Sequence, residues 1–583
     1  MMLLSALAAP LLPVLLIAGA GILRPGPRDT ARRLVAIASP LAIVPAVLLA
    51  LLQPGAELHL PWVLMGTHLE LDSVARPLLL IAALLYGAAL SSLSWVKLRD
   101  TERSTGALTS FLLMSFVGNI GAYLAADSVT FYLAFALMSF SAVGLVMHYR
   151  TRSALRATII YLVMSVLSET AILGALLLIV AGGGMLIADA PAAAADSHPY
   201  LIAALLLFGF GVKAGTVPLH VWLPLAHPAA PPAASAVLSG AMVKAGLVGW
   251  IRFLPDGEVA PDPVHTIGWV LLILALIGAM LAALVGVLQD DPKVVLAYST
   301  ISQMGFIGAV VAVGLLEPSL MAATTAAAIV YACHHGLAKG ALFLAVPVVK
   351  HYGNRGPVGV VVLLGVAIAS LAIAGAPLTS GALGKYIAKD VAESITVLGL
   401  ALDDLLALVA TGSTLLLVRF GLILWRQKRE PRSAPDGEFA SWVVIVLASV
   451  LVPWLITDQW TPAPIPEWSA YTVWTATWPI LLGVALGGAV LLLATRGRLP
   501  RWTPRADASL IPPGDLVVAE EALVQRLQDR SSGPLRLAEA GALRAQRSWS
   551  GFWYGAAALT RRAVGALDGA LARWESSGIV MII

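Results

Sequence analysis

The sequence predicts an all-α polytopic membrane protein: about 15 transmembrane helices, two inverted five-helix repeats, two broken helices and an amphipathic C-terminal region. Three observations predict it. Of 583 residues, 59% are hydrophobic and 12% charged, against roughly 25% charged in a soluble domain. Apolar segments of about 20 residues, the length that crosses a bilayer, recur along the chain. Lysine and arginine collect in every second connection between them, as the positive-inside rule requires of a polytopic chain.

The spans fall near 2–23, 33–53, 74–96, 106–126, 128–148, 157–181, 199–217, 234–254, 266–288, 293–315, 320–348, 358–378, 403–425, 440–457 and 477–495, with a shorter apolar piece near 383–400. The first lacks a basic leader and reads as a membrane helix, not a cleaved signal. Arg24, Arg28, Arg32 and Arg33 follow the first span, and Lys97, Arg99 and Arg103 the third. Arg150, Arg152 and Arg156 follow the fifth, and Lys293 the ninth. Lys350 and Arg355 follow the eleventh, Arg426, Lys428, Arg429 and Arg432 the thirteenth, and Arg496, Arg498, Arg501 and Arg505 the fifteenth. The opposite connections, 54–72, 182–198, 255–265 and 458–475, contain neither residue type. This places the N-terminus outside and the C-terminal region in the cytoplasm, in the inner (cell) membrane. Residues 54–72 alternate polar and apolar about Gly66 and predict a short outer hairpin. Beyond 496 the chain turns rich in arginine and glutamate. From about 516 to 576 the pattern reads as helical and amphipathic, with Leu523, Leu527, Leu535 and Leu537 among Arg and Glu, lying along the inner surface or docked on a partner subunit.

Two spans are interrupted. KAGTVPL (213–219) carries Pro218, and IAGAPL (373–378) carries Gly375 and Pro377. Proline removes a backbone donor and clashes with the preceding turn. Broken backbone survives in a bilayer only inside protein or against a wet cavity. The breaks lie in spans seven and twelve, five apart, so the two elements enter with opposite polarity. Matched interruptions of this kind point to inverted repeats with an ion site between them. The domains are then 1–105 with the outer hairpin, a first repeat over 106–254, a second over 266–425, the helices of 440–495, and the inner-surface region 496–583.

Charges stand inside these spans. Lys213 precedes the first break, Lys244 lies in span eight, Lys339 in span eleven, and Lys385 follows the second break. Each costs roughly 2.5–3.5 kcal/mol on insertion scales, so such residues usually mark an ion or proton route. Tyr331, His335 and Lys339 repeat every four residues along one helix face. His334 points about 100° away. His220 and His227 sit in the first broken segment, as relay, gate or structural cap. Asp290, Asp291 and Lys293 read as an interfacial loop. Asp403 and Asp404 open span thirteen, as an exit mouth or a helix start.

Other chemistries lack their residues. Cys333 is the only cysteine, which excludes an internal disulfide and leaves no cluster ligand set. There is no phosphate-binding loop, dinucleotide fingerprint or zinc spacing, so no cofactor and no redox step is expected of this chain. A formal net charge of +4, dispersed over short loops, gives no nucleic-acid patch.

The stretch KAGTVPLHVWLPLAHPAAPPAASAVLSGAMVKAG (213–246) closely resembles the signature of the proton-translocating antiporter-like membrane subunits. These occur in NADH–quinone oxidoreductase (complex I), Mrp sodium/proton antiporters and energy-converting hydrogenases. DPKVVLAYSTISQMGFIG (291–308) and HHGLAKGALFL (334–344) are similar to further family motifs, and the resemblance covers roughly 75–425. It implies a proton-translocating subunit of a multi-subunit membrane complex, with other membrane subunits and redox subunits as partners. It implies roles for Lys213 and Lys385 as the broken-helix lysines, Lys244 as the onward carrier and Lys339 as the central lysine. The family's fifth-span glutamate is absent: FALMS (135–139) places Ala136 there. Glu169, on the next span, is the expected substitute, since Lys213 would otherwise have no counter-charge. Two other readings stay open: a scaffold that has lost transport, and the membrane subunit of an inorganic-carbon uptake system. Protons and sodium are not distinguished.

Overall fold

The computed structural model describes residues 1–20, 26–63, 66–99, 105–353, 356–432 and 434–496, with 558–559, 561–562 and 565. The chain divides into two units, Met1–Gly514 and Asp515–Ile583. The few described residues of the second are helical, and the amphipathic stretch expected over 516–576 otherwise lies outside the described residues.

The first unit is a helical bundle. Its first two spans are segmented where prolines interrupt the hydrogen-bond ladder. α1 (Met2–Ala8) and α2 (Leu11–Gly19) flank Pro10, and α3 (Pro27–Ala38) and α4 (Val44–Leu52) flank a short 3₁₀ stretch. The hairpin expected over 54–72 is present: β1 (Glu57–Leu60) pairs antiparallel with β2 (Thr67–Glu70), Glu57 opposite Glu70 and His59 opposite His68. Gly66 is not its centre. It closes the turn at φ 102°, where a residue without Cβ is favoured.

Long helices follow: α5 (Ala75–Arg99), α6 (Thr105–Leu124), α7 (Ser128–Val146) and α8 (Arg152–Ala181). After the short α9 (Ala190–Asp196), the first broken element comprises α10 (Pro199–Ala214) and α11 (Leu223–Ala229). α12 (Pro232–Val237), a π-helical turn at Leu238–Met242 and α13 (Val243–Phe253) make one further crossing. The same order recurs with α14 (Pro261–Val287), α15 (Pro292–Leu316), α16 (Met321–Tyr352), the broken pair α17 (Pro357–Ala374) and α18 (Ser380–Asp390), then α19 (Leu402–Arg426) after a two-residue ribbon of β3 (Thr396–Val397) and β4 (Leu400–Ala401). α20 (Gly437–Trp460) and α21 (Ala470–Thr495) complete the unit. Fourteen helices among the described residues are long and apolar enough to span a bilayer, and α10 is a shorter fifteenth.

Helix starts coincide with short polar side chains that satisfy free N–H groups. Asp127 caps α7, Thr151 α8, Asp291 α15, Thr379 α18 and Asp436 α20. Between helices, small residues allow close approach. A Cβ on Gly118 of α6 would lie 2.3 Å from the backbone nitrogen of Met138 on α7, and one on Gly305 of α15 would lie 2.6 Å from Ala279 N on α14. α15 is buried along its whole length, whereas α21 is largely uncovered. The polar residues sit in the former environment.

Candidate functional site: a buried cationic line

Both broken helices end in the same way. Gly215 (φ 77°) and Gly375 (φ 87°) adopt the left-handed conformation that glycine takes without strain. Gly215 N donates to Val212 O and Thr216 N to Gly211 O; Gly375 N donates to Ala372 O and Ala376 N to Leu371 O. These are two copies of one helix stop, one per repeat. Pro218 follows the first in a cis peptide with Val217, and Pro377 follows the second.

What caps the remaining carbonyls differs. The indole of Trp222 donates to Val212 O at 2.7 Å. At the second break Lys385 Nζ donates to Ala374 O (2.7 Å) and Ile373 O (3.2 Å). Lys213 is itself in the last turn of α10. Its ammonium donates to the Tyr161 hydroxyl at 3.2 Å, and it faces the rings of Tyr161, Phe135 and Trp222 at 5.2, 5.7 and 5.9 Å.

Glu169 shares this chamber. Tyr161, Ser165 and Glu169 recur every four residues on the buried face of α8. Glu169 is 3% exposed and buried beside Ser139 and Lys213. No direct ion pair joins Glu169 and Lys213; Tyr161 takes the lysine instead. Ala136 lies half-buried on α7, and its neighbour Phe135 supplies the ring against Lys213.

The two repeats meet at Lys244. Its Nζ lies 2.7 Å from Nδ1 of His335 and donates to Ser239 O at 2.8 Å. Ser239 belongs to the π-helical turn just before Lys244, a widening found mostly at functional places in helices. The Ser239 hydroxyl is 2.7 Å from that of Thr300. One turn beyond His335, Lys339 donates to Leu296 O at 3.0 Å. Tyr331 donates to Gln303 Oε1, and Gln303 passes the contact to Ser413 on α19 at 2.8 Å. Tyr331, His335 and Lys339 thus make separate contacts and are not bonded to one another. His334 faces elsewhere: its Nδ1 is 2.9 Å from Ser380 Oγ, which donates to Ser449 O at 2.7 Å and ties α16 to α18 and α20.

The other candidates divide. His227 stacks on Phe343 with centroids 4.6 Å apart, and neither ring nitrogen has a hydrogen-bond partner. His220 is buried 6.4 Å from the ring of Tyr298. Lys293 is more than a loop charge, since it donates to Pro228 O and Ala230 O, both at 2.9 Å, and closes the join between α11 and α12. Tyr161, Gln303, Ser239 and Ser380 were not among the expected residues. Tyr161 carried a signal in its helical spacing to Glu169; Gln303 stood out only as an amide in an apolar span.

No carboxylate lies within ion-pair distance of Lys213, Lys244, Lys339 or Lys385 among the described residues. Three of the four are held by backbone carbonyls. An ammonium has three donors, and a neutral amine keeps two. Carbonyl partners therefore stay satisfied whether the lysine holds or releases its proton. A carboxylate partner would favour the charged state alone.

The architecture is thus a many-spanning bundle with two broken helices and four buried amines. Residues 125–388 match the family described as NADH:quinone oxidoreductase/Mrp antiporter, transmembrane. It is 32% identical over 287 residues to "Hydrogenase-4 component B" of Escherichia coli (strain K12), covering 47% of this chain and 42% of that one. It is 26% identical over 429 residues to "Na(+)/H(+) antiporter subunit A1" of Staphylococcus haemolyticus, covering 68% and 52%. The chain thus spans about half the length of these curated relatives. Its fold is that of a chain in the Mrp complex from Dietzia sp. DQ12-45-1b: TM-score 0.73, 22% identity, covering 92% of this chain and 59% of that one.

Proposed function

We propose that this chain is a proton-translocating subunit of a multi-subunit membrane complex, of the NADH–quinone oxidoreductase or Mrp type. It holds no redox group and takes its energy from partner subunits. Protons pass from the chamber of Glu169, Tyr161 and Lys213 to Lys244, through His335 to Lys339, and out by Lys385. The basic loops lie in the cytoplasm and the N-terminus outside.

The contact between Lys244 and His335 carries the reading. At 2.7 Å one nitrogen must donate and the other accept, so the pair forms one hydrogen bond and cannot hold both groups fully protonated in this geometry. Once the pair carries one such proton, a second arriving at either member expels one. The contact also links α13 of one repeat to α16 of the other. The test is proton uptake by inverted vesicles containing the intact complex. Lys244→Met abolishes the ΔpH on this reading, and a wild-type ΔpH in that variant refutes it.

A second reading, a scaffold without transport, is favoured by Ala136 and by the unpaired Glu169 carboxylate. It predicts that Lys244→Met assembles and leaves every flux of the complex unchanged.

A further inference from the structure

Lys385 lines a cavity of ≈170 Å³ between α18, α19 and α21, room for several waters. Lys385 is 8% exposed, held by the α17 carbonyls. The lining also includes exposed residues, Glu393 after α18 and Tyr471 at the start of α21, and the charged Lys389 and Asp390 at the end of α18. Asp403 of α19 lines it too, whereas Asp404 beside it is exposed and does not. Thr472 and Thr475 give one wall a hydroxyl surface. On the positive-inside reading these connections lie on the side opposite the basic loops.

α21 is an unusual wall. Most of its surface is uncovered, yet it is fixed along α19 at defined points. Thr411 Oγ1 donates to Pro479 O at 2.9 Å, and a Cβ on Gly483 would lie 2.7 Å from Thr414. Apolar side chains such as Trp474 and Leu481 point away, while the threonines face the cavity.

We propose that α21 forms the outer wall of a water-filled outlet from Lys385, and that Asp403 is the carboxylate through which a proton leaving Lys385 reaches that face. Lys385 gives its proton to water in the cavity, Asp403 takes it up, and it passes to bulk solvent beside Glu393 and Tyr471. No bond other than the transferred N–H and O–H changes. This rests on the proton-path reading above.

The experiment uses vesicles of the intact complex with single cysteines in a Cys333→Ala background. Thr472→Cys, Thr475→Cys and, facing away, Trp474→Cys are treated with a membrane-impermeant cationic thiol reagent from either side. The expected result is labelling of the two threonine positions from the arginine-poor side only, with proton flux falling at least fivefold. Labelled Trp474→Cys keeps its flux. Asp403→Asn should lower flux similarly, and Asp404→Asn should not. Absence of labelling at Thr472→Cys and Thr475→Cys, labelling from the opposite side, or undiminished flux after labelling each overturns the outlet. Lys385→Met separates the readings. If it stops transport while labelled Thr475→Cys transports freely, the outlet is wrong and the path stands. If Lys385→Met transports normally, the path itself is wrong.

Discussion

Lys385 reaches back across the second break and donates to the carbonyl of Ala374 at 2.7 Å, bracing the end of a helix to which it does not belong. Its side chain lies directly over Gly375, where an added Cβ would meet Lys385 Cδ at 2.7 Å. The lysine therefore depends on the glycine for space and on the preceding helix for hydrogen bonds.

Gly375→Ala separates these effects when set against Gly399→Ala. Both glycines have positive φ, 87° and 81°, but nothing lies within 4 Å of a Cβ on Gly399. Backbone strain alone costs about 1–2 kcal/mol. Gly399→Ala should lower thermal stability in detergent by that amount and keep transport. Gly375→Ala should lose more stability and also transport, because Lys385 must move.

At the junction of the repeats, Lys244→Met and His335→Leu should each reduce proton flux by a factor on the order of 100, the range of a lost proton-transfer group. The double variant should fall little further, since one hydrogen bond joins the two residues. Independent, multiplicative losses in a vesicle ΔpH assay would show that they do not act as a pair.

In the first chamber, Glu169→Gln keeps shape and removes charge. The charge is buried without a direct ion pair, so stability should hold or rise while flux falls about tenfold or more. Tyr161→Phe removes the hydroxyl that accepts from Lys213 at 3.2 Å, and its effect should be smaller. Unchanged uptake in Glu169→Gln vesicles would take Glu169 out of the path.

Arg252 tests the frame. Its guanidinium donates to Asp72 Oδ2 at 3.0 Å, to Tyr123 O at 2.7 Å and to Ala125 O, joining α13 to the hairpin region and the end of α6. Arg252→Leu leaves those acceptors without it and should cost about 3–5 kcal/mol, read as a lower thermal midpoint. Flux per folded molecule should change far less than in Lys244→Met.

Much of this was legible in the sequence, for identifiable reasons. Span positions follow from apolar length. The breaks were visible because Gly215, Pro218, Gly375 and Pro377 are residues that α-helices tolerate poorly. The buried lysines stood out because their letters are rare in apolar runs. Their partners did not, because Ser239 O, Leu296 O and Ala374 O are backbone atoms that every residue possesses. For the same reason Glu169 was expected to pair with Lys213, whereas Tyr161 holds that amine. The segmentation of the first two spans at Pro10 and Pro40 was readable in principle, since the same interruption signal marks them.

The twin helix stops carry one more implication. The count of crossings between them gives α10 and α17 opposite polarity, and each halts at a buried glycine with its carboxyl end inward. A helix carries a partial negative charge at that end, so two such poles confront the interior together. The peptide framework thereby selects the sign of what can reside there before any side chain is considered: cations are welcomed and anions repelled. A chain stripped of its four amines would lose its carriers yet retain that preference.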